Sequence, residues 1–358
     1  MTAAYINRIA TAVPEHDVHQ AFVDFADGML QDQRVKPVFQ RMATRSGIAS
    51  RYSVLTPDRA RQTTEFSINA HEFYTLGGFP GTTRRMDIFE RFAPPLVRKG
   101  LDGLSLTQDE IRGVTHVIVT SCTGLYAPGL DFEIVDHLGL DPAVERSMIG
   151  FMGCYAAINA LKMARHIVRS EPTAKVLTVN VELCTLHLQE TQELEQVLSF
   201  LVFGDGCAAS LISAEPVGFA MDSFRSVVIP GTRELITWRI RELGFDMLLS
   251  GKVPAEIGKA LGTGSEEVLG ALRKEDIIMW GVHPGGKSVL DAVQRGLALP
   301  TDALNASREI LERFGNMSSA TVMFVLERLM RTAEPGQLGC AMSFGPGLTA
   351  ETMMFHAA

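Results

Sequence analysis

An α/β protein of two lobes is what this sequence predicts, and three observations predict it. Buried-strand patterns alternate with helical ones. The alternation pauses near Glu215-Pro216 and then resumes. The chain has 358 residues, enough for two domains or one large two-lobed core.

The elements follow in order. Residues 5–13 read as a strand, and Val18 to about Leu30 as a helix. Thr115–Thr120 has the apolar run of a buried strand and enters a polar Ser-Cys-Thr-Gly loop. In Arg146–Val168 the chain turns at Gly150 and Gly153. Ala157, Ile158, Leu161, Ala164, Ile167 and Val168 then recur at helical steps. Lys175–Val181 is a strand ending in Glu182-Leu-Cys-Thr, and Phe203-Gly-Asp-Gly leads into the strand Cys207–Ser213. Beyond residue 215, Pro254–Lys274 is helical with a break at Gly262-Thr-Gly264. Ile277–Trp280 is a strand running into Gly281-Val-His-Pro-Gly-Gly286. Helices follow over Lys287–Leu297 and Ala303–Phe314. Gly315-Asn-Met-Ser-Ser319 opens an apolar helix to about Met330, and Cys340–Leu348 precedes a final strand. No internal repeat is legible.

Composition narrows the function. Hydrophobic residues make up 46% and charged residues 21%, an ordinary globular balance. A net charge of −8 argues against a general nucleic-acid binder. The five cysteines form no C-x-x-C pair and their number is odd, which fits reduced thiols better than disulfides or a zinc site. No signal-peptide core or run of about 20 apolar residues is present, so a soluble cytoplasmic protein without a membrane partner is expected. Locally the charge reverses. Arg34, Lys36, Arg41, Arg45, Arg51, Arg59 and Arg61 face only Asp58 over that stretch. Such a patch either attracts an anionic ligand or is a solvated face paired with acids elsewhere.

Three polar residues lie where a strand or loop meets a helix N-terminus: Cys154, His283 and Asn316. Free N–H groups and the helix dipole favour a thiolate at Cys154, and a nearby imidazole would hold it as a thiolate–imidazolium pair. A neutral His and an Asn amide can together donate to one developing oxyanion. The plainer reading makes Cys154 a small buried filler.

These residues sit in motifs that resemble the type III polyketide synthases, the chalcone synthase-like enzymes of the thiolase superfamily. The motifs are Gly150-Phe-Met-Gly-Cys-Tyr-Ala-Ala, Phe203-Gly-Asp-Gly, Gly281-Val-His-Pro-Gly-Gly, Gly315-Asn-Met-Ser-Ser-Ala and Phe344-Gly-Pro-Gly-Leu-Thr. They run in family order across nearly the whole chain. The resemblance implies a five-layered αβαβα thiolase-like fold in a homodimer. Residues 1–215 form the half that carries Cys154, and residues 216–358 the half that carries His283 and Asn316.

It also implies a reaction. A starter acyl-CoA acylates Cys154, and His283 and Asn316 hold the malonyl-CoA carbonyl during decarboxylation. The enolate condenses with the acyl group, and the product cyclises to a pyrone or resorcinol-like ring. No cofactor is implied beyond the CoA thioesters, which are substrates. Arg41 and Arg45 fall on CoA-phosphate positions, with a third basic position occupied by Val38, for which Lys36 is a substitute. Gly286 and Ser288 fall beside the pantetheine arm. Phe203 and Met247 are the gate, and Met replaces a second Phe. Cys122, Thr123, Cys184, His187, Trp238 and Ser318 fall at the cavity, Trp238 where the plant enzymes have Gly; plain core packing is the other reading of Trp238. The competing functions are a cysteine-dependent acyl-CoA thioesterase and a single condensation of the ketoacyl synthase III kind.

Overall fold

The computed structural model describes residues 2–64, 67–270 and 272–358. Nine strands form one mixed sheet: β1 (Tyr5–Ala12), β2 (His116–Ser121), β3 (Glu145–Gly150), β4 (Val176–Leu183), β5 (Asp205–Ser213), β6 (Phe219–Val228), β7 (Met279–Val282), β8 (Leu338–Gly345) and β9 (Thr349–Ala357). Their spatial order is β7-β8-β9-β6-β1-β5-β4-β2-β3. The sheet narrows at its middle, where β1 meets β6 only at Tyr5–Ala220 and Ile6–Phe219. On either side of that waist one pattern repeats. From β1 the pairings run antiparallel to β5, antiparallel to β4, then parallel to β2. From β6 they run antiparallel to β9, antiparallel to β8, then parallel to β7. The repeat is one of topology, which is why the residues do not display it.

Helices complete five layers. The main ones are α1 (Lys36–Arg45), α2 (Thr82–Gly103), α3 (Ala156–Ser170), α4 (Leu194–Val202), α5 (Val253–Leu269), α6 (Lys287–Gly296) and α7 (Thr321–Met330). Helix α2 covers the outer face of the first half-sheet, and α5, backed by α6, that of the second. Helices α3 and α7 lie between the halves and touch strands of both. Their sequences suit that position. Helix α3 buries Ala156, Ala157, Ile158, Ala160, Leu161, Ala164 and Val168, small enough for close approach on two sides. Helix α7 buries every residue from Thr321 to Leu326. Strands β4 and β5, covered on both faces, are buried throughout, whereas β3 is an exposed edge.

Several expected boundaries shift. The helix expected to reach Lys274 ends at Leu269, bends at Gly264 (φ −140°, ψ 35°), and is followed by a 3-10 turn over Lys274–Asp276; Ala271 lies outside the described residues. The strand expected at Ile277–Trp280 lies two residues later, at Met279–Val282. Among the described residues no helix is long and apolar enough to cross a membrane.

Candidate active site

Strand β3 ends at Gly150, and the chain reverses through two residues in the left-handed region, Phe151 (φ 57°) and Gly153 (φ 70°). A Cβ on Gly153 would stand 2.5 Å from Cδ of Pro346, so glycine is required there on steric grounds as well. Cys154 follows in a 3-10 turn, Gly153–Tyr155, that leads into α3. The Phe344-Gly-Pro-Gly stretch packs on this turn so tightly that a Cβ on Gly345 would meet the Tyr155 ring at 2.7 Å. Cys154 lies deep in the protein yet keeps surface towards a cavity of about 1160 Å³, which His283 and Asn316 also line.

Asn316 is held in one orientation. Its Oδ1 accepts from the Ser318 N–H (2.8 Å) and the Thr321 hydroxyl (3.5 Å), which turns the amide NH₂ towards the site. That NH₂ donates to the Gly285 carbonyl at 3.3 Å and lies close enough to the Cys154 sulfur to favour its thiolate. His283 is placed by its own N–H, which donates to the Met342 carbonyl at 2.7 Å. Its ring is buried, and neither ring nitrogen has a hydrogen-bond partner among the described residues. An unpaired imidazole facing a cavity is poised to bond a ligand rather than the fold.

Burial dominates the electrostatics. It pushes the Cys154 thiol up to about 12, against hydrogen bonds from Ser318, Asn316 and the Cys154 N–H; the nearby Glu182 carboxyl raises it further. Burial pushes His283 down to about 3. Burial thus works against the charged form of each group taken singly, so the ion pair expected from helix N-terminus and imidazole has to form as a pair. A lone thiolate or a lone imidazolium is costly here. Moving the thiol proton to the imidazole leaves the cavity neutral overall, and the N–H and amide donors then stabilise the sulfur. Beneath the thiol, Glu182 accepts from the Cys122 N–H (2.9 Å), the Thr123 hydroxyl (2.9 Å) and the Ser319 hydroxyl (2.5 Å). Its burial raises it to about 7. The sequence shows Glu182 only as the end of a strand; its burial depends on three distant donors.

Phe203, Met247, Cys122, Thr123, Cys184, Trp238 and Ser318 line the cavity, and Arg41, Arg45, Gly286 and Ser288 line it as well. The Ser318 Oγ lies 3.9 Å from the Cys154 sulfur. Trp238 and Met247 face each other on a hairpin, Ile236–Arg241 with Gly244–Leu249. The indole N–H donates to the Cys122 carbonyl at 2.7 Å. Wall and packing roles thus coincide in Trp238.

His187 stands behind the wall rather than on it. Its Nε2 bonds the Thr123 carbonyl (2.6 Å), its Nδ1 accepts from the Phe245 N–H (3.3 Å), and its ring stacks on Phe245 at 4.3 Å. It braces the hairpin against the loop after β2. Lys36 does not replace the missing cation at Val38, because it pairs with Asp27 at 3.6 Å and is not part of the lining. Arg51 is buried and bonds His19 and the carbonyls of Phe200 and Phe203. Arg34 pairs with Asp32. Of the seven basic residues only Arg41 and Arg45, on α1, reach the cavity. Lys287 and Arg295, on α6, also line it and escaped the sequence reading. Lys287 had one signal, its place directly after His-Pro-Gly-Gly.

A thiol, an unpaired imidazole and an anchored amide meet on one cavity of a five-layered αβαβα frame, and the fold is that of the thiolase-type acyltransferases. More narrowly, the chain belongs to the chalcone and stilbene synthase family, the type III polyketide synthases. Residues 2–216 match "Chalcone and stilbene synthases, N-terminal domain", and residues 220–358 match the C-terminal domain of that family. It is 33% identical over 378 residues to "Alpha-pyrone synthesis polyketide synthase-like Pks18" of Mycobacterium tuberculosis, covering 99% of this chain and 91% of that protein. It is 31% identical over 380 residues to a bisdemethoxycurcumin synthase of Oryza sativa subsp. japonica, covering 99% and 92%. The crystal structure of PKS-I from the brown alga Ectocarpus siliculosus superimposes with a TM-score of 0.89 at 29% identity, covering 100% of this chain and 99% of that one. The type III domain of Steely1 from Dictyostelium has the same fold, with a TM-score of 0.88 at 23% identity over 99% of both chains. The chain is thus an acyltransferase that condenses an acyl-CoA with malonyl-CoA and cyclises the product; the thioesterase reading is not favoured.

Proposed function

We propose that the enzyme takes a short to medium aliphatic acyl-CoA and extends it with malonyl-CoA to a pyrone or alkylresorcinol-like product. The observation that carries this reading is the placing of Trp238 in the cavity wall, its indole tied to the Cys122 carbonyl. It narrows the space a flat ring would need, while flexible Met247 beside it lets a linear chain pass. The name of the mycobacterial relative, an alpha-pyrone synthesis enzyme, agrees with this choice.

The roles follow from the residues. Cys154 gives its proton to His283 and attacks the starter thioester, expelling CoA. The carbonyl of malonyl-CoA then bonds to the His283 ring and the Asn316 NH₂. As the bond to the carboxylate carbon breaks, carbon dioxide leaves and its electron pair becomes an enolate held by those two donors. The enolate carbon attacks the acyl carbonyl, the carbon–sulfur bond breaks, and Cys154 is free to accept the extended chain. Arg41 and Arg45 attract the CoA phosphates, helped by Lys287 and Arg295. Gly286 and Ser288 guide the pantetheine arm. No further cofactor takes part.

Residues 1–215 and 216–358 act as two halves, one bringing the nucleophile and the other the two donors. A cytoplasmic homodimer is part of the same reading. Leu125, Phe132 and Met148 are 43%, 42% and 44% exposed around edge strand β3, with Arg146 stacked on Phe132 at 4.3 Å, and an apolar edge of this kind calls for a partner. The decisive experiment measures product masses from a panel of aliphatic and aromatic acyl-CoAs with malonyl-CoA. A clear preference for coumaroyl-CoA over every aliphatic starter would overturn the proposal.

A further inference from the structure

Behind Phe203 lies a second, smaller cavity of about 80 Å³. Phe200 and Phe203 line both it and the main cavity, so those two residues form the partition. The remaining walls are largely apolar, with Phe22, Leu55 and Leu188 prominent.

The backbone at the partition is pinned on every side. The Gly204 N–H donates to the Asn316 carbonyl (2.9 Å), and the Asn316 N–H donates to the Val202 carbonyl (2.7 Å). The Phe203 carbonyl accepts from the buried Arg51 guanidinium. The Phe203 ring, by contrast, takes part in none of the aromatic pairs among the described residues. With the backbone fixed in this way, joining the two cavities requires rotation of the Phe203 side chain alone.

We propose that the small cavity is an acyl subsite. With the Phe203 ring turned, it takes the methyl end of the aliphatic acyl group carried by Cys154, and so sets the preferred chain length. This inference rests on the aliphatic-starter reading above. A water molecule occupies about 30 Å³ of liquid, so the space holds a few methylene groups and no second ring. Each methylene moved there from water raises kcat/KM about fourfold.

The test varies the far wall, away from the main cavity. Ala21 and Phe22 line only the small cavity. Ala21→Leu fills it, and Phe22→Ala enlarges it. We expect kcat/KM for straight-chain starters from butyryl-CoA to dodecanoyl-CoA to peak about two or three carbons earlier in Ala21→Leu and later in Phe22→Ala. Turnover of butyryl-CoA, the shortest starter of the series and the one with least chain to place in the subsite, stays unchanged and reports correct folding. An optimum that stays put in both variants, with butyryl-CoA turnover intact, overturns the subsite alone. A parent enzyme that uses no aliphatic starter overturns the aliphatic reading and the subsite with it.

Discussion

Removing the Trp238 side chain tests whether one residue both holds the hairpin and narrows the cavity. The indole donates one hydrogen bond and meets the His187 and Phe245 rings edge-on, at 5.5 and 5.8 Å. Truncating a fully buried aromatic costs about 3–5 kcal/mol. Trp238 is half-buried, which brings that to about 2 kcal/mol, and stranding the Cys122 carbonyl adds about 1 kcal/mol. For a chain of 358 residues the unfolding entropy is about 0.75 kcal/mol/K, so Trp238→Ala should melt about 4 °C below the parent. The same variant should turn over benzoyl-CoA and coumaroyl-CoA, poor starters for the parent. Trp238→Phe separates the two effects: it keeps a ring, loses the N–H, and should melt about 1–2 °C lower with a starter range close to the parent's. The assays are differential scanning calorimetry and product mass spectrometry over the starter panel. A Trp238→Ala enzyme that melts with the parent, or that ignores aromatic starters as the parent does, refutes the argument.

Other outcomes follow from the same geometry. Cys154→Ala should abolish polyketide formation while leaving some malonyl-CoA decarboxylation, and His283→Ala or Asn316→Ala should slow decarboxylation itself about 10²–10³-fold; carbon dioxide release measures both. Arg41→Ala with Arg45→Ala should raise KM for CoA substrates with kcat little changed, and the difference should shrink at high salt. Burial holds His187 at about 3, below the 6.5 of the unfolded chain, so its share of stability is intact above pH 6.5 and is lost as pH falls towards 3. Between pH 6 and 4 the parent should therefore lose about 1.4 kcal/mol per pH unit more than His187→Gln, which can keep both hydrogen bonds; urea titrations at several pH values would show it. If the proposed homodimer forms through the β3 edge, Met148→Lys should lower the mass seen by light scattering from that of two chains to that of one, and an unchanged two-chain mass would place the interface elsewhere.

Much was legible in the residues because it is encoded locally. Cys154, His283 and Asn316 each stand in a short motif whose glycines force a turn, as Gly153 does against Pro346. The buried strands announce themselves because two-sided burial favours apolar residues on both faces, as at five of the eight positions of Val176–Leu183. Helix α2 went unread; its Pro94-Pro95 reads as a break, and packing across the first half-sheet outweighs that local cost. What the tertiary structure alone decided is which polar groups face one another. His187 and Trp238 look alike as cavity candidates, yet one braces the hairpin and the other forms the wall. Lys36 and Lys287 look alike as cations, yet Asp27 claims the first while the second lines the cavity. Glu182 becomes a buried acid, and His283 an unpaired imidazole, only when segments more than a hundred residues apart close around them. Burial and partnership belong to the folded surroundings, and residue order carries them only through the fold it produces.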